Sequence, residues 1–181
     1  MKIQGKIFTI SNWLSFSRII IIWPIAHYLL LRTPEGNFIA FILMLIGAAT
    51  DFFDGFLARA LKQESDLGRI IDPIADKIGL GLLGVILTQT SGLPVWFLIL
   101  IIARDLAILL LGSKIIAREN KIPESNWFGK TAVGGIACVV ILYTLALTPW
   151  REIALFITVT LLLISMYSYL KIYIEFKKKQ A

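Results

Sequence analysis

Four aspartates, Asp51, Asp54, Asp72 and Asp76, stand in a chain where acids are scarce: 12 Asp and Glu among 181 residues, 57% of them hydrophobic. Asp51 and Asp54 are three apart, and Asp72 and Asp76 four apart. Either spacing puts a pair on one face of a helix. Long apolar runs lie before Asp51 and after Asp76. The acids therefore fall at the ends of segments suited to lipid, where a charge costs roughly 2.5–3.5 kcal/mol at mid-span and less near the interface. Four carboxylates converging in low dielectric stay ionised only if cations neutralise them. Carboxylate oxygens favour hard ions such as Mg²⁺ or Mn²⁺, and no His or Cys stands nearby to select zinc. Two such ions side by side would clamp a phosphoryl group. The plainer reading pairs the acids with Arg59, Arg69 and Lys77 in a solvated loop, which suits two of them better than four.

The residues between the pairs sharpen this reading. The segment is Asp51-x2-Asp54-Gly55-x2-Ala58-Arg59-x8-Gly68-x3-Asp72-x3-Asp76. A glycine inside a helix costs about 1 kcal/mol relative to alanine, so Gly55 needs a use. Bare backbone beside a metal-binding acid would let a flat nucleotide press close. Ala58, one turn beyond Asp54, keeps the same face shallow, and Arg59 offers a cation to a phosphate or an acid. Gly68 opens the stretch before the next helix, and Asp72-Pro73 sits where proline is tolerated, in a first turn.

This segment resembles the signature of the CDP-alcohol phosphatidyltransferase family and matches it at all eight fixed positions. The resemblance extends over most of the chain, including the opening stretch Thr9-Ile10-Ser11-Asn12-Trp13-Leu14-Ser15-Phe16-Ser17-Arg18. Many members carry Pro-Asn there, and this chain has Ser11-Asn12. The resemblance implies that Asp51, Asp54 and Asp72 hold two divalent cations, Mg²⁺ or Mn²⁺. It makes Asp76 the general base, which would also touch a metal, and has Gly55, Ala58, Arg59 and Gly68 line the CDP moiety. It further implies a homodimer whose site opens to the cytoplasm and the inner leaflet. An acceptor hydroxyl, deprotonated by Asp76, would attack the phosphorus carrying diacylglycerol, and CMP would leave.

Elements able to position these residues follow from hydropathy. The mean hydropathy is +0.80, with apolar residues gathered into blocks that approach the roughly 20 residues a bilayer requires. Six spans are predicted, Trp13–Leu31, Phe38–Leu61, Ile70–Thr88, Leu93–Ile116, Phe128–Leu147 and Glu152–Ile174, with short connections. No strand-period alternation suggests a barrel, so the expected fold is all-α: one polytopic membrane domain over 1–181. Lys2, Lys6, Arg59, Lys62, Arg69, Lys114, Arg118, Lys121, Lys130, Lys171 and Lys177 to Lys179 gather at one set of ends, against only Arg32 and Arg151 at the other. By the positive-inside rule both termini are cytoplasmic. Antiparallel second and third spans then bring all four aspartates to similar depth. Glycines and alanines within the spans, such as Gly134 and Gly135, read as close helix packing. Cys138 reads as a small buried hydrophobe, and His27 as no ligand.

The formal charge of +6 raises nucleic acid as a partner, but the basic residues flank apolar blocks and suit lipid headgroups or phosphorylated substrates instead. Arg104 and Asp105 lie inside the fourth span and Arg18 in the first. In one reading Arg104 and Asp105 neutralise each other locally. Alternatively Arg18, Arg104 and Lys130, the last in Gly129-Lys130-Thr131, bind an anionic acceptor. A cationic pocket favours a phosphorylated alcohol. Together with the Gly-Lys-Thr run, similar to the phosphatidylglycerophosphate-forming branch of the family, it points to sn-glycerol 3-phosphate. Phosphatidylglycerol (as in cardiolipin synthesis), inositol phosphate and serine stay open. Two rival classes are an ion-coupled transporter, whose acids would sit near mid-membrane, and a prenyltransferase, which would not need the nucleotide-lining positions.

Overall fold

The computed structural model describes the backbone of residues 10–60, 68–119 and 127–178, and the side chains of 20–50, 77–111, 127–171, 173 and 174. Among these residues every regular element is a helix: α1 (Ile10–Leu30), α2 (Pro34–Ala60), α3 (Gly68–Thr90), α4 (Val95–Glu119), α5 (Trp127–Thr144) and α6 (Trp150–Lys178). The chain forms two compact units, Met1–Gly92 and Leu93–Ala181, each of three helices.

In the first unit α1 is the shared partner, packing against both α2 and α3. Gly47 of α2 faces Ile21, and Gly36 lies against the Tyr28 carbonyl, so α1 and α2 run antiparallel. Gly79 of α3 faces Ile22, and Arg32 donates from Nη2 to the Gln89 carbonyl at 3.0 Å. These two contacts have the same sequence offset, so α1 and α3 run parallel. Ile25, Leu29, Ala40 and Leu87 fill the buried seams. Residues Thr33 to Gly36 start α2: Thr33 caps it, accepting from the Gly36 N–H at 3.0 Å, and Pro34 takes the first helical position.

In the second unit α6 packs against both α4 and α5. The buried residues of α5, Gly129, Ala132, Ile136, Val139, Val140 and Tyr143, recur every three or four positions and form one stripe. On α6 the stripe is Thr158, Leu162 and Ser165, and on α4 it is Phe97, Ile101 and Arg104. Gly135 meets Thr158, and Arg151 stacks over the Tyr143 ring at 5.2 Å, which sets α5 and α6 antiparallel. Helix α5 stops at Thr144 through a left-handed residue, Ala146 (φ 52°), whose N–H reaches the Tyr143 carbonyl while Leu147 N–H reaches Leu142.

Large apolar side chains cover the outside. Trp23, Ile99, Ile102, Leu109, Phe156 and Ile157 are all exposed, far beyond what a water-facing surface carries. Among the described residues, Trp127–Thr144 and Trp150–Lys171 are long and apolar enough to cross a membrane, and Ile20–Leu30, Pro34–Thr50 and Lys77–Thr90 are shorter apolar runs. The helices differ from the hydropathy blocks mainly at their ends. Helix α2 starts at Pro34 rather than Phe38, α4 runs Val95–Glu119, α5 ends at Thr144 rather than Leu147, and α6 runs Trp150–Lys178. Apolarity ends where hydrocarbon would, whereas a backbone hydrogen-bond ladder continues until a cap or a proline stops it. Cys138, expected in the interior, is exposed on α5.

Candidate functional site

Helix α2 carries positions 51, 54, 55, 58 and 59, α3 carries 68, 72 and 76, and α1 carries 18. The side chains of Asp51, Asp54, Gly55, Ala58, Arg59, Gly68, Asp72, Asp76 and Arg18 lie outside the described residues. The expected metal and nucleotide site therefore rests on helix assignment and residue chemistry. Unbroken α-helix through 51–60 and through 68–76 keeps the three- and four-residue spacings facial.

Of the expected acceptor residues, Arg104 and Lys130 are described. Arg104 continues the buried stripe of α4 one turn beyond Ile101, and only 7% of its surface is exposed. An arginine in such a position needs acceptors, since an unpaired buried cation is strongly disfavoured. Its Nη1 donates to Asp105 Oδ1 at 2.9 Å and its Nη2 to Ser165 Oγ on α6 at 3.0 Å. The local ion pair and the inward-facing guanidinium both exist; the two readings of the sequence are not exclusive. The carboxylate of Asp105 is 27% exposed, so the pair straddles the edge of the buried face. Nε of Arg104 has no hydrogen-bond partner.

The guanidinium also borders α5. A Cβ placed on Gly129 would lie 3.4 Å from Arg104 Nη2 and 3.4 Å from the Tyr169 hydroxyl. Lys130 follows Gly129 and is exposed. Three helices thus meet around one buried cation: Arg104 from α4, Gly129 from α5, and Ser165 with Tyr169 from α6. Ser165 and Tyr169 were not singled out by the sequence, because both sit within an apolar block. The usable signal was helical spacing: Thr158, Leu162, Ser165 and Tyr169 form a single line along α6.

Comparison with known proteins adds a separate line. Residues 8–166 match the family described as CDP-alcohol phosphatidyltransferase, and so span both units. A Bacillus subtilis protein named CDP-diacylglycerol--glycerol-3-phosphate 3-phosphatidyltransferase is 29% identical over 143 residues, 75% of this chain and 74% of its own length. A Rickettsia bellii protein of the same name is 28% identical over 178 residues, covering 94% and 97%. A Streptomyces coelicolor protein named cardiolipin synthase (CMP-forming) is 31% identical over 131 residues, 70% of this chain but only 60% of that protein. With the eight-position segment on α2 and α3 and a family match over most of its length, this chain belongs to the CDP-alcohol phosphatidyltransferases.

Proposed function

We propose that this chain transfers the phosphatidyl group of CDP-diacylglycerol to the hydroxyl of sn-glycerol 3-phosphate and releases CMP. The observation that carries the proposal is the segment 51–76, matched at every fixed position inside a family match covering residues 8–166. The Bacillus and Rickettsia relatives are named for that acceptor. The Streptomyces relative, named a cardiolipin synthase, favours a second reading in which phosphatidylglycerol is the acceptor. Family membership sets aside the transporter and prenyltransferase readings.

Helix register supports a shared site. Counting from Gly47 against Ile21, at 1.5 Å per residue, positions 51 and 54 fall level with about 17 and 14 of α1. Counting from Gly79 against Ile22 in the parallel sense, positions 72 and 76 fall level with about 15 and 19. Both pairs then come to one stretch of α1, between about positions 14 and 19. A donor set made only of carboxylates fits hard divalent cations, Mg²⁺ or Mn²⁺, held by Asp51, Asp54, Asp72 and Asp76. Such ions, when bound, neutralise charge on the phosphate oxygens and on the leaving group.

The chain's own residues account for the remainder. Gly55, Ala58 and Gly68 leave backbone bare for the cytidine and its phosphates, and Arg59 supplies a cation to them. Asp76 takes the proton of the acceptor hydroxyl as that oxygen bonds to phosphorus and the bond from phosphorus to the CMP oxygen breaks. Arg104 and Lys130, on either side of Gly129 in the second unit, are the residues proposed to hold the acceptor's anionic group. Positioning of this kind supplies much of the acceleration in phosphoryl transfer.

The same reading makes the chain a homodimer in membrane lipid, crossing six times with both termini and the site cytoplasmic. The basic residues at one set of ends support the orientation. The two exceptions have local partners: Arg32 binds the last turn of α3 through the Gln89 carbonyl, and Arg151 stacks on Tyr143.

The test is a panel of acceptors offered to the purified protein with CDP-diacylglycerol in mixed micelles, with products weighed by mass spectrometry. CMP release and a phosphatidylglycerophosphate product are expected with sn-glycerol 3-phosphate. Chelation should abolish both, and Mg²⁺ or Mn²⁺ should restore them. Cardiolipin formed from phosphatidylglycerol would select the second reading, and no CMP with any acceptor would end both.

A further inference from the structure

The guanidinium of Arg104 is held at both terminal nitrogens. Nη1 donates to Asp105 Oδ1 at 2.9 Å and Nη2 to Ser165 Oγ at 3.0 Å. These two acceptors pull in different directions. Adjacent residues of a helix point about 100° apart, so Asp105 draws the guanidinium sideways around α4, toward the edge where its own side chain is 27% exposed. Ser165 comes from α6 and is fully buried, so it draws the same group inward. Nε of Arg104 is already buried without a hydrogen-bond partner, so losing Ser165 would leave a second buried donor unmatched. A guanidinium released in that way would turn toward Asp105 and the exposed edge. The serine oxygen is also neutral. It fixes the guanidinium without cancelling its charge, as a second carboxylate would.

We infer that Ser165 is a positioning residue for the acceptor site, holding the Arg104 guanidinium inward, beside Gly129, in the orientation that meets the acceptor's anionic group. The inference rests on the proposed phosphatidyl transfer, in which Arg104 and Lys130 bind that group, and it adds the residue through which one of the two is set. A free arginine side chain gives up its rotamer freedom when an anion arrives. One already anchored has less to lose, and the difference appears as acceptor affinity. Gly129 borders Nη2 from α5, where a Cβ would lie 3.4 Å away, and Lys130 follows it in sequence. Anchoring Arg104 to α6 therefore fixes where it stands along α5, next to the second cation. The segment 51–76 belongs to the first unit, so binding of the donor lipid gives an internal control.

The full-length protein in micelles carries the test, with Ser165→Ala, Arg104→Gln and the double variant. Alanine removes one oxygen and should fold; if it does not, Ser165→Cys, close in size but a weak acceptor, takes its place. With sn-glycerol 3-phosphate, Ser165→Ala should raise KM about tenfold, the effect of one lost hydrogen bond to a charged group, and leave KM for CDP-diacylglycerol unchanged. In the Arg104→Gln background the same change should raise it by less than about twofold, because the group that Ser165 positions is gone. Should Arg104→Gln not fold, Arg104→Lys, which lacks the planar fork, replaces it. Effects that multiply, or an acceptor KM unchanged by Ser165→Ala, would overturn the inference and leave Ser165 a packing residue. A KM rise seen with phosphatidylglycerol instead assigns the anion to a lipid phosphodiester and supports the inference equally. Inorganic phosphate should protect the wild type against thermal unfolding, and protect Ser165→Ala less. Should the wild type release no CMP with any acceptor, the proposed reaction fails and phosphate protection decides alone. Weaker protection of Ser165→Ala then sustains the positioning role, and equal protection, or none of either protein, ends it.

Discussion

Arg104 shows how much one buried charge can organise. It ties α4 to α6 through Ser165, pairs with its neighbour Asp105 and borders α5 at Gly129. Its position in an apolar span was legible because a charge in such a run is costly and needs a reason. Ser165 and Tyr169 were not legible, since a serine or tyrosine in an apolar helix costs little and carries no obligation to act. At the opposite extreme the aspartates announced themselves by type and spacing. Among them Asp76 has the most exposed assignment. If it is the base, Asp76→Asn should lower kcat by about 10²–10⁴-fold, the range for general base catalysis, because an amide cannot take the proton. Binding of CDP-diacylglycerol, followed by equilibrium retention on vesicles, should stay measurable. Activity within a factor of ten of wild type would remove Asp76 from that role.

The helices themselves show what hydropathy can and cannot mark. All six were found from apolar runs, and the largest errors lie at ends where polar caps take over. Helix α2 begins four residues ahead of its apolar block because Thr33 and Pro34 form a capped start. Its 27 residues make about 40 Å of helix, more than the hydrocarbon core requires. Helix α5 ends early because Ala146 adopts a left-handed conformation, and no glycine flags it. Pairings between helices were the least legible, since every face of a lipid-embedded helix is apolar. Adjacent glycines in α5 make that visible. A Cβ on Gly135 would lie 2.8 Å from Thr158 Oγ1 and 3.1 Å from its Cγ2, whereas one on Gly134 meets nothing within 4 Å. Thr158 is buried and branched at Cβ, so it has little room to turn. Gly135→Ala should therefore destabilise the α5–α6 contact by about 1–3 kcal/mol, the usual overpacking range, and lower the melting temperature in detergent. Gly134→Ala should leave it unchanged or higher. Equal melting of the two variants would show that α5 and α6 do not meet at this register.

For the whole chain, composition told lipid from water before any element was assigned, and the exposed tryptophans and isoleucines of the folded protein agree. Orientation is a finer matter and depends on charge placement alone. In the proposed topology the Arg32–Asn37, Gln89–Gly92 and Thr148–Arg151 connections face away from the cytoplasm, and both termini face into it. Only one native cysteine, Cys138, needs removal before labelling. In a Cys138→Ser background, single cysteines replacing Glu35, Ser91 or Thr148 should react in intact cells with a membrane-impermeant maleimide. Cysteines replacing Lys2 or Ala181 should react only after the membrane is opened. Odd and even spans constrain one another, so the pattern checks the helix count as well as the direction. Labelling of the two termini on opposite sides would require an odd number of crossings. Labelling of both termini from outside would put the aspartate segment on the outer face, and the orientation read from the basic residues would be overturned.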